Sequence, residues 1–128
     1  MRIAFCLLVA LAAGCVSPTA PEITGSWGGS QASLTLDQAG GTLQMPCAAG
    51  AIDSTWTLTS DGDFAAAGTY STEAGPVPVG GYPPHTARYT GQVSGNVLYL
   101  NITVTDLNEA IGQLALVRGG PPVLLRCL

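Results

Sequence analysis

From Ile23 onward apolar and polar residues alternate with period two in short runs separated by turn residues, and no window carries a convincing helical period. The clearest run spans 97–105, where Leu98, Leu100, Ile102 and Val104 face one way while Tyr99, Asn101 and Thr103 face the other. The same pattern predicts strands at 24–28, 32–36, 42–47, 55–59, 64–70, 87–93, 112–118 and 123–127. Ser60-Asp61-Gly62-Asp63, Gly40-Gly41 after Asp37, and Ser94-Gly95-Asn96 supply hairpin turns, so sequence neighbours should be spatial neighbours. Eight or nine strands joined in this way form an antiparallel meander, which removes its exposed edges most economically by closing into a barrel. The expected fold is therefore all-β, a small lipocalin-like or avidin-like barrel of about eight strands, with a two-sheet sandwich as the alternative.

One connection is long. Residues 71–86 contain four prolines and three glycines and cannot hold a central strand, so they are read as a loop. The segment is either an exposed connector or a lid at one barrel mouth, with Tyr82 and His85 as its chemically useful side chains.

The first residues follow a different pattern. Arg2 precedes an apolar run from Ile3 to Ala13, too short to span a bilayer and of the kind that directs secretion. Leu11-Ala12-Ala13-Gly14-Cys15 resembles the lipobox of bacterial lipoproteins, with Ala12 in the place where Leu is usual. That resemblance implies cleavage before Cys15, acylation of its thiol, and a domain plan of signal peptide 1–14, tether 15–22 and barrel 23–128. Cleavage as an ordinary secretory signal, near Gly14 or near Ala20, is the alternative and would leave no anchor. The lipoprotein reading implies a cell-envelope location, lipid-anchored, facing the periplasm from the outer membrane if the host is Gram-negative. Val16 is not Asp, and in Gram-negative lipoproteins a residue other than Asp after the lipidated cysteine favours export to the outer membrane.

Composition then removes several functions. Lysine is absent, which excludes a Walker-type phosphate loop and Schiff-base chemistry. After the signal, Arg88, Arg118 and Arg126 stand against all eight acids, a balance that disfavours nucleic acid. His85 has no companion nucleophile in a recognisable motif, so no catalytic residue and no enzyme is expected. Asp61 and Asp63 flank Gly62 as in an ordinary turn, too few oxygens for calcium, and neither a metal nor a cofactor is expected.

With Cys6 in the signal and Cys15 assigned to lipid, Cys47 and Cys127 remain, and in an oxidising compartment they are expected to pair. Such a bridge closes a loop of about 80 residues, worth roughly 4 kcal/mol on chain entropy.

Gly25-Ser26-Trp27 is similar to the G-x-W element of lipocalins and related calycin barrels. The resemblance implies that Trp27 closes one barrel end and that an arginine of the last strand, Arg118 or Arg126, packs across it. A wider pattern, Trp27-Gly28-Gly29 through Cys47, Asp61-Gly62-Asp63-Phe64 and Ala87-Arg88-Tyr89-Thr90-Gly91 to Arg126-Cys127-Leu128, looks like a group of small uncharacterised bacterial lipoproteins. It implies architecture and export route but no activity.

The functional expectation is a monomeric, membrane-anchored, non-enzymatic barrel that binds a small apolar or amphipathic ligand at one open end. Trp27, Tyr82, His85, Arg118 and Arg126 are the candidate ligand or barrel-end residues. The alternative is a protein-interaction or inhibitor module that uses the loops of a side-chain-filled barrel. A cavity of about 300 Å³ or more inside the barrel would favour the first, and a packed centre the second.

Overall fold

The computed structural model describes residues 21–121. Nine strands follow one another as β1 (Gly25–Gly28), β2 (Ser33–Asp37), β3 (Gly40–Met45), β4 (Ala48–Ile52), β5 (Thr57–Leu58), β6 (Asp63–Thr72), β7 (His85–Ser94), β8 (Val97–Val104) and β9 (Glu109–Arg118). Each pairs antiparallel with its sequence neighbour where a tight turn allows it, in the order β4-β3-β2-β1-β9-β8-β7-β6-β5. A further pairing of β4 with β6, from Ala48↔Thr72 to Ile52↔Gly68, closes eight of the strands into a lipocalin-like barrel. The two-residue β5 stands outside that ring and pairs only with the start of β6. A sandwich does not occur, because one continuous sheet returns on itself.

The period-two pattern is realised as expected on β8, where Leu98, Leu100, Ile102 and Val104 are buried and the residues between them exposed. β7 and β8 meet through the two-residue turn Gly95-Asn96, with Ser94 opposite Val97. The turn at 59–62 is fixed by Gly62 N–H donating to the Thr59 carbonyl at 3.0 Å and by Asp63 N–H donating to Thr59 Oγ1 at 3.0 Å. On β9 the ladder slips at Ile102/Thr103: Gly112 faces Ile102 and Ala110 faces Thr103, leaving Ile111 as the extra residue of a bulge.

Three expectations about elements need correction. β4 occupies a stretch predicted as a connection, since Ala48-Ala49-Gly50-Ala51-Ile52 lacks β-branched and aromatic residues until its last position. The strand expected at 55–59 shrinks to Thr57–Leu58 and contributes nothing to closure. The long connection is shorter than expected, because β6 runs on to Thr72 and β7 begins at His85. The strand expected at 123–127 lies outside the described residues.

The barrel has two distinct ends. One gathers the start of β1, the β2–β3, β5–β6 and β7–β8 turns and the finish of β9; residues 21–24 arrive there, and we term it the tether end. The other gathers the β1–β2 and β3–β4 turns, the 73–84 connection and the β8–β9 turn, and is termed the loop end.

The interior is filled by side chains. Trp27, Leu34, Leu36, Leu43, Phe64, Tyr89, Leu98, Leu100, Ile102, Val104 and Leu116 are all at most 2% exposed, and no buried polar or charged side chain accompanies them among the described residues. Bulk and smallness are matched across the ladders: Ala66 lies opposite Tyr89, and Gly91 lies between Phe64 and Leu100. A Cβ on Gly50 would collide with the Tyr89 hydroxyl, so the absence of a side chain there is what lets Tyr89 lie across the core.

Candidate functional site

The tether end is built around Trp27. Its ring is 1% exposed, and its indole N–H donates to the Ile23 carbonyl at 2.8 Å. Because Trp27 pairs with Arg118 in the β1–β9 ladder, the two side chains leave neighbouring strands together, and the guanidinium carbon lies 4.3 Å from the ring centroid. This cation–π geometry uses the negative face of the indole. Arg118 also donates from Nη1 to the Thr24 carbonyl at 3.0 Å and from Nη2 to the Glu22 carbonyl. One side chain thus covers the tryptophan and holds the incoming chain in place. The arginine of the calycin-like arrangement is Arg118; Arg126 lies outside the described residues.

Trp56 completes this closure from the other side. Its indole N–H donates to the Asp37 carbonyl at 2.8 Å, and its ring lies 6.2 Å from that of Phe64 at 45°. Nothing in the alternation of residues 55–59 marks it as a cap, because the segment makes almost no ladder and Trp56 precedes the two residues that do. A depression of about 480 Å³ at this end, lined by Pro21, Glu22, Asp61, Asn96 and Arg118 among others, lies outside the barrel core.

At the loop end, Tyr82 and His85 are far from Trp27 and Arg118, so the candidate barrel-end residues do not converge on one site. Tyr82 donates its hydroxyl to the Gly75 carbonyl at 2.6 Å, a brace within the connection. His85 is the first residue of β7, opposite Tyr70, and its Nδ1 lies 3.1 Å from Asp106 Oδ2 in the β8–β9 turn. Beside it Thr86 Oγ1 and Thr105 Oγ1 are 3.0 Å apart. These contacts join the root of the connection to the neighbouring turn, and His85 acts as a structural link.

The 73–84 connection is anchored by Glu73 N–H donating to the Cys47 carbonyl at 2.7 Å and folded at its tip by Gly81 N–H donating to the Pro78 carbonyl at 2.9 Å. Between these points it exposes apolar surface: Val77 is 68% exposed and Val79 fully exposed. Leu107, in the adjacent β8–β9 turn, is 54% exposed. From Ala74 to Pro84 the sequence contains no charged residue.

Cys47 is disulfide-bonded. It lies in the β3–β4 turn beside a hollow of about 420 Å³ lined by Gln31, Met45, Pro46, Ala48, Tyr70 and Thr72. Cys127, the expected partner, and Cys15, the expected lipidation site, lie outside the described residues.

Among the described residues the clearly perturbed groups are two phenols. Burial pushes the Tyr89 hydroxyl well above the ordinary tyrosine range, with Tyr70 adding to the effect. Tyr70 is raised by burial and then by the negative charge of Glu109. Tyr89 donates to the Thr69 carbonyl at 2.6 Å and Tyr70 lies 3.9 Å from the Met45 sulfur, so both phenols are held as packing elements. Among the described residues no cluster of three or more His, Cys, Asp or Glu could hold a metal ion.

Searches of protein-family models, of curated proteins and of solved structures found no match to the chain. The class is therefore defined by its own geometry: a small, closed, lipocalin-like antiparallel barrel. It combines a packed interior with an uncharged, proline-rich projection at the end opposite its capped tryptophan.

Proposed function

We propose that the protein is a cell-envelope lipoprotein, anchored through Cys15, whose side-chain-filled barrel holds a loop surface out for contact with another protein. The observation that carries this reading is the contrast between a packed core and the exposed Val77 and Val79. An internal apolar ligand draws no support from a centre occupied by Trp27, Tyr89 and Phe64, whereas exposed apolar side chains on a braced loop are what a recognition surface requires.

Polarity supports the same reading. Residues 21–24 reach the barrel at the tether end and are held there by Arg118, while the Val77–Val79 projection lies at the opposite end. Strands of ten residues are roughly 33 Å long. A lipid at Cys15 would put the tether end toward the membrane and the loop end away from it, into the compartment. Catalysis is not part of the proposal, which draws on no pairing of a nucleophile with a base among the described residues.

The test is site-specific photocrosslinking in the host, with the photoreactive residue at position 79 and, as control, at Thr103 on the exposed face of β8. A discrete protein adduct from position 79 that is absent from position 103 is expected. Equal labelling at both positions, or none at 79, would refute the loop surface. Loss of lipid labelling in Cys15→Ser, with accumulation of precursor, is expected for the anchor; unchanged labelling would refute it.

A further inference from the structure

The loop that carries Val77 and Val79 is short of conformational freedom. Gly81 N–H donates to the Pro78 carbonyl at 2.9 Å, which closes a β-turn over Val79 and Gly80. Gly80 has φ 87° while Val79 is not among the non-glycine residues of positive φ, so the turn is of type II. Such a turn holds its second residue, Val79, at about φ −60° and ψ +120°, close to polyproline II. The residues before it are restricted toward the same region. The rings of Pro76 and Pro78 fix φ at about −65°, and Val77, because it precedes a proline, is kept to extended conformations.

The returning arm is built alike. Tyr82 and Pro83 each precede a proline, so residues 82–84 are extended too. The Tyr82 hydroxyl, donating to the Gly75 carbonyl, ties this arm to the root of the first. Around Gly75, Gly80 and Gly81 an added Cβ would meet nothing within 4 Å, so the braced pair of arms stands clear of the barrel. Four prolines within residues 76–84 remove four N–H donors and leave an excess of acceptors. Among the described residues the carbonyls of Pro76, Val77 and Val79 receive no hydrogen bond.

We infer that Pro76-Val77-Pro78-Val79 is a preformed polyproline II ligand, and that its partner is a protein groove lined by aromatic side chains that donate O–H or N–H groups, tyrosine and tryptophan. This rests on the loop-surface reading above and names the partner for it. Three residues per turn put Pro76 and Val79 on one ridge and Val77 on the next, apolar ridges that pack against aromatic rings. The open carbonyls need donors, which phenol and indole supply beside an apolar face. Since residues 74–84 are uncharged, an acidic or basic groove gains nothing from them. Order set in advance by the prolines and the turn lowers the entropy lost on docking.

The test compares loop variants of the full chain in the host, each with the photoreactive residue at position 79. Pro76→Ala/Pro78→Ala restores backbone freedom and two N–H groups, and the adduct is expected to fall at least about 5-fold. Val77→Pro removes the valine but keeps an apolar ring and the required φ, and the adduct is expected to be retained in full. Sequencing the adduct should place position 79 on a partner peptide that contains tyrosine or tryptophan. An undiminished adduct from Pro76→Ala/Pro78→Ala, a 5-fold loss in Val77→Pro, or attachment to a peptide with neither aromatic would overturn the polyproline mode and leave the loop surface standing. No adduct from the otherwise native chain would remove the loop surface itself and this inference with it.

Discussion

Arg118 does three things at once, covering the Trp27 ring and donating to two carbonyls of the incoming chain. Replacing it with Met keeps an apolar stem but removes the cation and its donors. Arg118→Met is expected to lose roughly 2 kcal/mol in urea unfolding, from the combined cation–π and charged hydrogen-bond contributions, and to shift tryptophan emission. A loss below about 0.5 kcal/mol would mean that the cap is ornamental. Tyr89 makes a second test. Its folded ionisation lies above its unfolded one, so its neutral form stabilises the fold fully below the ordinary tyrosine value of 10.0, and that contribution is lost as pH rises through the folded value. In an alkaline titration followed by phenolate absorbance, native Tyr89 should ionise only together with unfolding, and Tyr89→Phe should remove that component. Trp27 and an arginine partner were legible through the resemblance of Gly25-Ser26-Trp27 to the calycin G-x-W element. The choice between Arg118 and Arg126 was not, since it depends on which of them lies opposite Trp27. Trp56 gave no warning: an aromatic in a segment that barely forms a ladder is a cap only once the turn carrying Asp37 is known to lie beside it.

At the scale of elements, strands with alternating branched and aromatic residues were readable, and β4 was not. Its inward positions are Ala48, Gly50 and Ile52, and the lack of a side chain at Gly50 follows from Tyr89 across the core, a constraint that acts through space and leaves no local pattern. The prediction for this element is that Gly50→Ala destabilises by roughly 1–3 kcal/mol through overpacking against the Tyr89 hydroxyl, and that combining it with Tyr89→Phe recovers part of the loss. Simple additivity of the two in thermal or urea unfolding would contradict the contact. The loop at 73–84 behaves in the opposite way. Proline and glycine made it visible as a connection, but not its internal braces or the position of His85 at the head of β7. Val77 and Val79 are largely exposed, so Val77→Ser/Val79→Ser should leave stability within about 0.5 kcal/mol, and Val77→Ser alone should weaken the crosslink formed by the photoreactive residue at position 79. A large stability loss would place these valines in the fold rather than on a recognition surface.

For the whole molecule, closure followed from the count of short strands and tight turns, and the packed core could not be known from them. A barrel of eight strands can be filled or can hold a small ligand, and the difference rests on how Tyr89 and Phe64 meet Ala66 and Gly91 opposite them while Trp27 fills one end. The division into two ends was also hidden: Trp27, Arg118, Tyr82 and His85 read as one group, and the register of β6, β7 and β9 puts the first two and the last two at opposite mouths. The most direct measurement is native mass spectrometry of the lipidated protein extracted from its own host in mild detergent. A barrel that is filled by its own side chains and acts through its outer surface predicts the mass of the acylated, disulfide-bonded chain with no small molecule retained after gentle activation. A stoichiometric bound small molecule that survives until the chain unfolds would contradict it.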